Sequence, residues 1–90
     1  MSDADLPGAE LIEAGLADLS NRTETVESLL VSMAAPRLRT LGFAVPAPFA
    51  DAELRLYHRL AGQHGAGAHA RYNALVRRLV SFQRAAACAR

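Results

Sequence analysis

The chain is 90 residues long, with 51% hydrophobic residues and a formal net charge of +1. We expect one domain, because so short a chain cannot bury two separate cores. No apolar run approaches the ~20 residues of a membrane span, and Asp3 and Asp5 stand where a secretory signal is basic, so we expect neither a membrane protein nor a secreted one. The single Cys88 has no internal disulfide partner, and a cytoplasmic location is the expectation.

Leucine and alanine dominate the apolar residues, with 13 Leu against five Val and one Ile. Leu and Ala favour helix, and the scarcity of β-branched residues argues against sheet. The sequence therefore predicts an all-α fold, a small bundle of four main helices. We expect residues 1–6 to be a flexible lead-in and residues 7–90 to form a single helical domain.

The first predicted helix runs from about Pro7 to Leu19. Its apolar residues fall on one side of a helical wheel: Leu11, Ile12, Leu16 and Leu19. Gly15 lies among them. It either marks a close contact with another helix or is an ordinary helix glycine that costs up to ~1 kcal/mol, and the sequence leaves both interpretations open.

The second predicted helix begins at Thr23, where acids follow and meet the positive end of the helix dipole. Its apolar residues recur at i, i+3, i+4 and i+7: Val26, Leu29, Leu30 and Met33. Pro36 lacks a backbone N–H and pushes the residue before it out of helical geometry, so the helix is expected to kink or break there. Gly42 is the predicted C-cap.

A proline-rich linker, residues 43–49, follows the second helix. Pro46 and Pro48 prevent helix in its middle. Its large apolar residues, Phe43, Val45 and Phe49, have two interpretations. They either pack across the bundle and link its two halves, or they form an exposed apolar strip that serves as an interaction surface for a partner.

Asp51 is the predicted N-cap of the third helix, which runs from Ala52 to about Gly62. A glycine cluster follows. The fourth predicted helix runs from about Ala68 to Ala87, and its apolar residues cover an arc wide enough to contact two neighbouring helices. The sequence therefore predicts that the fourth helix is the central one.

Charges are sorted by sign along the chain. Residues 1–35 hold seven acids against Arg22, a net charge of −6, and residues 36–90 hold nine arginines against Asp51 and Glu53, a net charge of +7. The two halves either attract each other within the fold, or the basic half binds nucleic acid. The arginines of the candidate nucleic-acid face are Arg55, Arg59, Arg71, Arg77, Arg78 and Arg84. All ten basic residues are Arg, which fits phosphate binding or a bacterial-like bias in composition.

The three histidines, His58, His64 and His69, are six and five residues apart. This spacing does not stack two of them as an i, i+4 ligand pair does, so we expect no metal site and no cofactor. If the third helix extends to His64, that side chain is expected to be half-buried and hydrogen-bonded.

Arg59 and His64 are separated by four residues, in Arg59-Leu-Ala-Gly-Gln-His64. This Arg-X4-His spacing resembles the motif of HEPN-type helical ribonucleases. The resemblance covers six residues. It implies that Arg59 binds an RNA phosphate and that His64 acts as a general acid or base at a dimer interface.

We expect a small cytoplasmic interaction or accessory module rather than an enzyme, with no catalytic residues. Its partner is expected to be another protein or a second copy of the chain, with no role for a membrane. Two alternatives stay open, a nucleic-acid-binding protein that uses the arginine face and a HEPN-like ribonuclease that uses Arg59 and His64.

Overall fold

The computed structural model describes residues 5–89, and across that range the chain is helical with no strand. The elements are α1 (Ala9–Ser20), α2 (Val26–Met33), α3 (Ala35–Thr40), α4 (Ala52–His64), a 3₁₀ turn (Gly65–Gly67) and α5 (Ala68–Ala89). The predicted all-α fold is confirmed. Most of the predicted lead-in lies outside the described residues, but Leu6 is buried in the core at 7% exposure.

The contact between α1 and α2 depends on Gly15. A Cβ added there would lie 2.4 Å from Val31 Cγ2 and 2.5 Å from the Glu27 carbonyl oxygen. Both distances are shorter than van der Waals contact, so only a residue without a side chain allows the two helices to pack this closely. Of the two interpretations of Gly15, the structure supports the close helix contact.

A capping box starts α2. Ser28 N donates to Thr25 Oγ1 over 3.0 Å, and Thr25 N donates to Ser28 Oγ over 2.8 Å. The Thr25 hydroxyl in turn donates to the Asp18 carboxylate over 2.8 Å, which ties the start of α2 to the end of α1. The predicted start at Thr23 is therefore wrong, because Thr25 is the residue whose side chain accepts the free N–H.

The second predicted helix is two helices in the structure. α2 ends at Met33, α3 begins at Ala35, and Pro36 lies in the first turn of α3, where its missing N–H is not needed. Gly42 follows α3 with a φ of 97°, a left-handed conformation that favours glycine after a helix.

The linker packs on the bundle. Phe43, Val45 and Phe49 are half-buried against the core, and the Phe43 ring lies 5.4 Å from the Phe82 ring on α5. Phe49 N donates to the buried Ser32 Oγ over 3.1 Å. This packing agrees with the first interpretation of these apolar residues, in which they pack across the bundle and link its two halves.

The core is built around α2, which packs against α1, α3, α4 and α5. Five consecutive α2 residues, Ser28 to Ser32, are buried, so this helix is covered on every side. The prediction that the last helix is central is wrong, because α5 packs mainly on α4. The largest fully buried side chains include Phe82, Ile12, Leu19, Leu29, Leu30, Leu38, Leu56, Leu60 and Leu75.

Asp51 stands at the predicted N-cap position of α4, but its side chain makes no capping hydrogen bond. Its φ of 53° is left-handed, which is uncommon for a residue with a side chain. The prediction that the Asp51 carboxylate caps α4 is therefore wrong. α4 also continues two residues past the predicted end, to His64.

Candidate functional site

Two large apolar side chains on α4 face solvent. Within residues 5–89, Leu54 at 61% and Tyr57 at 39% exposure are the large hydrophobic residues that the fold leaves uncovered. Leu56 and Leu60 are buried on the same helix. At 100° per residue, Leu54 lies about 200° from Leu56, and so it points away from the core.

Leu54 and Tyr57 line an open groove of about 830 Å³, here called the apolar groove. The groove lies where the end of α2, the linker, the start of α4 and the start of α5 meet. Its lining residues are Ser32, Met33, Pro48, Phe49, Asp51, Ala52, Glu53, Leu54, Tyr57, His69 and Tyr72. Four separate elements contribute to it, so the tertiary fold forms the groove.

Aromatic rings form one wall of the apolar groove. The Tyr57 ring centroid lies 5.7 Å from that of Tyr72 and 6.4 Å from that of His69. The Tyr72 hydroxyl donates to Glu53 Oε1 over 3.2 Å. Burial raises the pKa of Tyr72, and the hydrogen bond to Glu53 and the charge of that carboxylate raise it further. The phenol therefore stays protonated at neutral pH and keeps donating to Glu53.

Another wall is the linker, and hydrogen bonds to the side chains of Ser32, Arg22 and Arg39 hold it. Besides the bond from Phe49 N to Ser32, the Arg22 guanidinium donates to Ala47 O over 2.6 Å and lies 4.6 Å from the centre of the Phe49 ring. Arg39 donates to the carbonyl oxygens of residues 45 and 46. These contacts give the groove a fixed wall although the linker has no regular secondary structure.

The six arginines of the predicted nucleic-acid face divide into two groups. Arg55 and Arg59 both bind Glu24, over 3.1 and 3.2 Å, and Arg78 binds Glu10. The other three make no ion pair with a described carboxylate: Arg71, Arg77 and Arg84. The structure therefore places half of the set against acids from the first third of the chain.

These ion pairs join distant parts of the sequence but contribute little energy. The paired side chains of Arg55, Arg59, Glu24, Arg78 and Glu10 are between 36% and 75% exposed. Pairs this exposed are worth ~0–1 kcal/mol each.

Arg59 and His64 of the Arg-X4-His motif line one groove of about 330 Å³ with Gln63 and Arg71, here called the His64 groove. The Arg59 guanidinium is held by Glu24, and its Nε is buried with no hydrogen-bond partner among the described residues. His64 is exposed, so its predicted half-burial is wrong. It is the last residue of α4 and lies in the exposed run of residues 61–67.

The three histidines line three different grooves. His69 lines the apolar groove, His64 the His64 groove, and His58 a third groove of about 530 Å³ that also contains Glu24, Asp51, Arg55 and Arg59. Among residues 5–89, no three His, Cys, Asp or Glu side chains are grouped so that they could hold a metal ion.

Leu54 and Tyr57 were not predicted from the sequence as surface groups. The signal was present, because Leu54 lies almost opposite the centre of an arc made by Leu56 and Leu60. Phe49 is the one member of the predicted interaction surface that lines the apolar groove, whereas Phe43 packs on Phe82 and Val45 on the core.

In the part of the chain that the structure describes, no helix combines the length and the hydropathy that crossing a membrane requires. Comparison with known proteins adds nothing to the geometry: no family model matches the sequence, and no curated protein or solved structure is significantly similar to it.

Proposed function

We propose that this protein is a small non-enzymatic interaction module that binds another protein through the apolar groove. The observation that carries the proposal is the exposure of Leu54 and Tyr57 beside a preformed groove. Each exposed apolar group costs free energy in water, and a contiguous set beside a concavity is the pattern of a binding surface. Tyrosine is also among the residues that contribute most to protein interfaces.

The rigid walls of the groove support the same proposal. Met33 comes from a buried helix, Phe49 is held by Ser32 and Arg22, and Tyr72 is fixed by Glu53. A partner therefore meets groups that are already ordered, which lowers the entropy lost on binding.

We expect Leu54→Ser to weaken partner binding at least about tenfold without unfolding the chain. Leu54 is 61% exposed, so its replacement should change the free energy of unfolding by less than ~0.5 kcal/mol. The measurement is quantitative co-purification from an extract of the source organism, with the wild type, Leu54→Ser and the control Asn73→Ser as baits. Asn73 is an exposed α5 residue that does not line the groove.

A partner should be recovered with the wild type and with Asn73→Ser, and its recovery should fall at least about tenfold with Leu54→Ser, the loss expected when a central interface residue is truncated. Circular dichroism of the variants checks that both are folded. Equal recovery with both variants, or no specific protein with any bait, contradicts the proposal.

A second candidate function, nucleic-acid binding, is supported by the three arginines without a described carboxylate partner, Arg71, Arg77 and Arg84. Neutralising about three phosphates gives a slope of about −2.7 for log K against log salt on duplex DNA. The test is a titration with mixed DNA and RNA at about 50 mM salt, repeated with all three arginines changed to Gln. Absence of binding at that salt concentration, or equal binding by the triple variant, rejects this candidate.

A further inference from the structure

The apolar groove differs in charge from the third groove and from the His64 groove. Arg55 and Arg59 line the third groove, and Arg59 and Arg71 line the His64 groove. The described lining of the apolar groove contains no arginine, although the chain has ten. Its titratable residues are Asp51, Glu53, His69 and Tyr72. The two carboxylates, both at the start of α4, make that part of the rim negative, and the Arg22 guanidinium lies against Phe49 in the linker wall.

The carboxylate of Asp51 is available to a ligand. Its side chain does not cap α4 and makes no hydrogen bond or ion pair with a described residue. Its left-handed φ of 53° is a conformation that costs free energy for a residue with a side chain. Glu53 accepts one hydrogen bond from Tyr72 and is exposed, so its remaining lone pairs face solvent.

A second copy of the chain fits this rim poorly. In a two-fold dimer through the groove, residues near the axis meet their own copies, so the acidic rims would approach each other. The outward face of α5 carries the exposed Arg77 and Arg84, but its neighbours there are small: Ala70, Asn73 and Ser81. That face therefore offers positive charge without the large apolar side chain that would fill the groove.

We propose that the apolar groove binds a segment of a different protein in which a large apolar side chain is flanked by arginine or lysine. The apolar residue contacts Leu54, Tyr57 and Phe49, and the cation pairs with Asp51 or Glu53. This inference rests on the proposed function and adds the chemistry of the partner to it. Opposite charge at the rim of the groove raises the affinity for basic segments over other apolar segments that would otherwise bind equally tightly.

The test uses three pools of synthetic peptides of about 14 residues, each with Phe or Leu at the centre and a variable polar background. The pools differ only in the residues three and four positions from the centre, which are Arg, Gln or Glu. Each pool is titrated into the full chain labelled with ¹⁵N, and amide shifts are recorded. We expect the Arg pool to bind about tenfold more tightly than the Glu pool, with shifts centred on Leu54, Tyr57 and Tyr72.

The variant Asp51→Asn/Glu53→Gln should bind the Arg and Gln pools equally while retaining the apolar contact. Leu54→Ser should weaken the binding of every pool. If all three pools bind equally in the groove, the interaction module stands and the basic partner is wrong. If no pool shifts the groove residues, both proposals fail. A dimer in sedimentation velocity that Leu54→Ser dissociates would assign the groove to a second copy and overturn this inference.

Discussion

Gly15→Ala should destabilise the protein by about 2 kcal/mol, although alanine is the better helix former by ~1 kcal/mol. The added methyl group would meet the Glu27 carbonyl oxygen at 2.5 Å and Val31 Cγ2 at 2.4 Å. Val31 has one strongly preferred rotamer in a helix, and the carbonyl belongs to the backbone of α2, so neither atom can move without separating the helices. Thermal unfolding followed by circular dichroism should show a Tm lower by roughly 8–16 °C.

Gly62→Ala is the matched control for Gly15→Ala. Gly62 also lies inside a helix, but a Cβ added there meets no atom within 4 Å. Only the helix propensity changes, so this variant should be more stable than the wild type by up to ~1 kcal/mol. If the two substitutions change the free energy of unfolding in opposite directions, the close contact at Gly15 is the cause of the destabilisation. A Gly15→Ala protein as stable as the wild type would show that α1 and α2 are not packed as described.

Much of the fold follows from local signals in the sequence. Pro36 predicted an interruption after α2 because of its missing N–H, and Gly42 predicted a helix end because glycine tolerates a positive φ. The start of α2 was misplaced because Thr23 and Thr25 are both suitable N-caps with acids nearby. Thr25 is the cap in the structure, and its hydroxyl also donates to Asp18 on the preceding helix, a contact that no local pattern contains.

Less of the candidate site was predictable. The linker wall of the apolar groove depends on a long-range contact, because Phe49 N donates to Ser32, 17 residues earlier, and this hydrogen bond holds the linker against α2. The sequence predicts that acids of the first half pair with arginines of the second, but not which ones. Glu24 pairs with Arg55 and Arg59, 31 and 35 residues later, and Glu10 pairs with Arg78. Charge is not specific enough to choose among such partners, because exposed pairs differ little in energy.

Phe82→Ala should have the largest effect of the substitutions considered, a loss of ~3–5 kcal/mol in the free energy of unfolding. Phe82 is the largest of the fully buried side chains, at 1% exposure, and it lies on α5 against the linker residue Phe43. A chain of this length has ~5–13 kcal/mol of stability in total. The variant should therefore lose about a quarter or more of it, as measured by urea unfolding at equilibrium.

Two further variants separate lost volume from the lost ring contact. Phe82→Leu restores most of the volume and should cost less than the alanine variant by at least ~1 kcal/mol. The double-mutant cycle with Phe43→Ala should give a coupling of ~0.5–1.5 kcal/mol, because the two rings lie 5.4 Å apart at 47°. Phe43 begins the linker that ends at Phe49, so a coupling near zero would mean that α5 does not anchor this wall of the apolar groove. In that event, the Ser32, Arg22 and Arg39 contacts would still hold the linker in place.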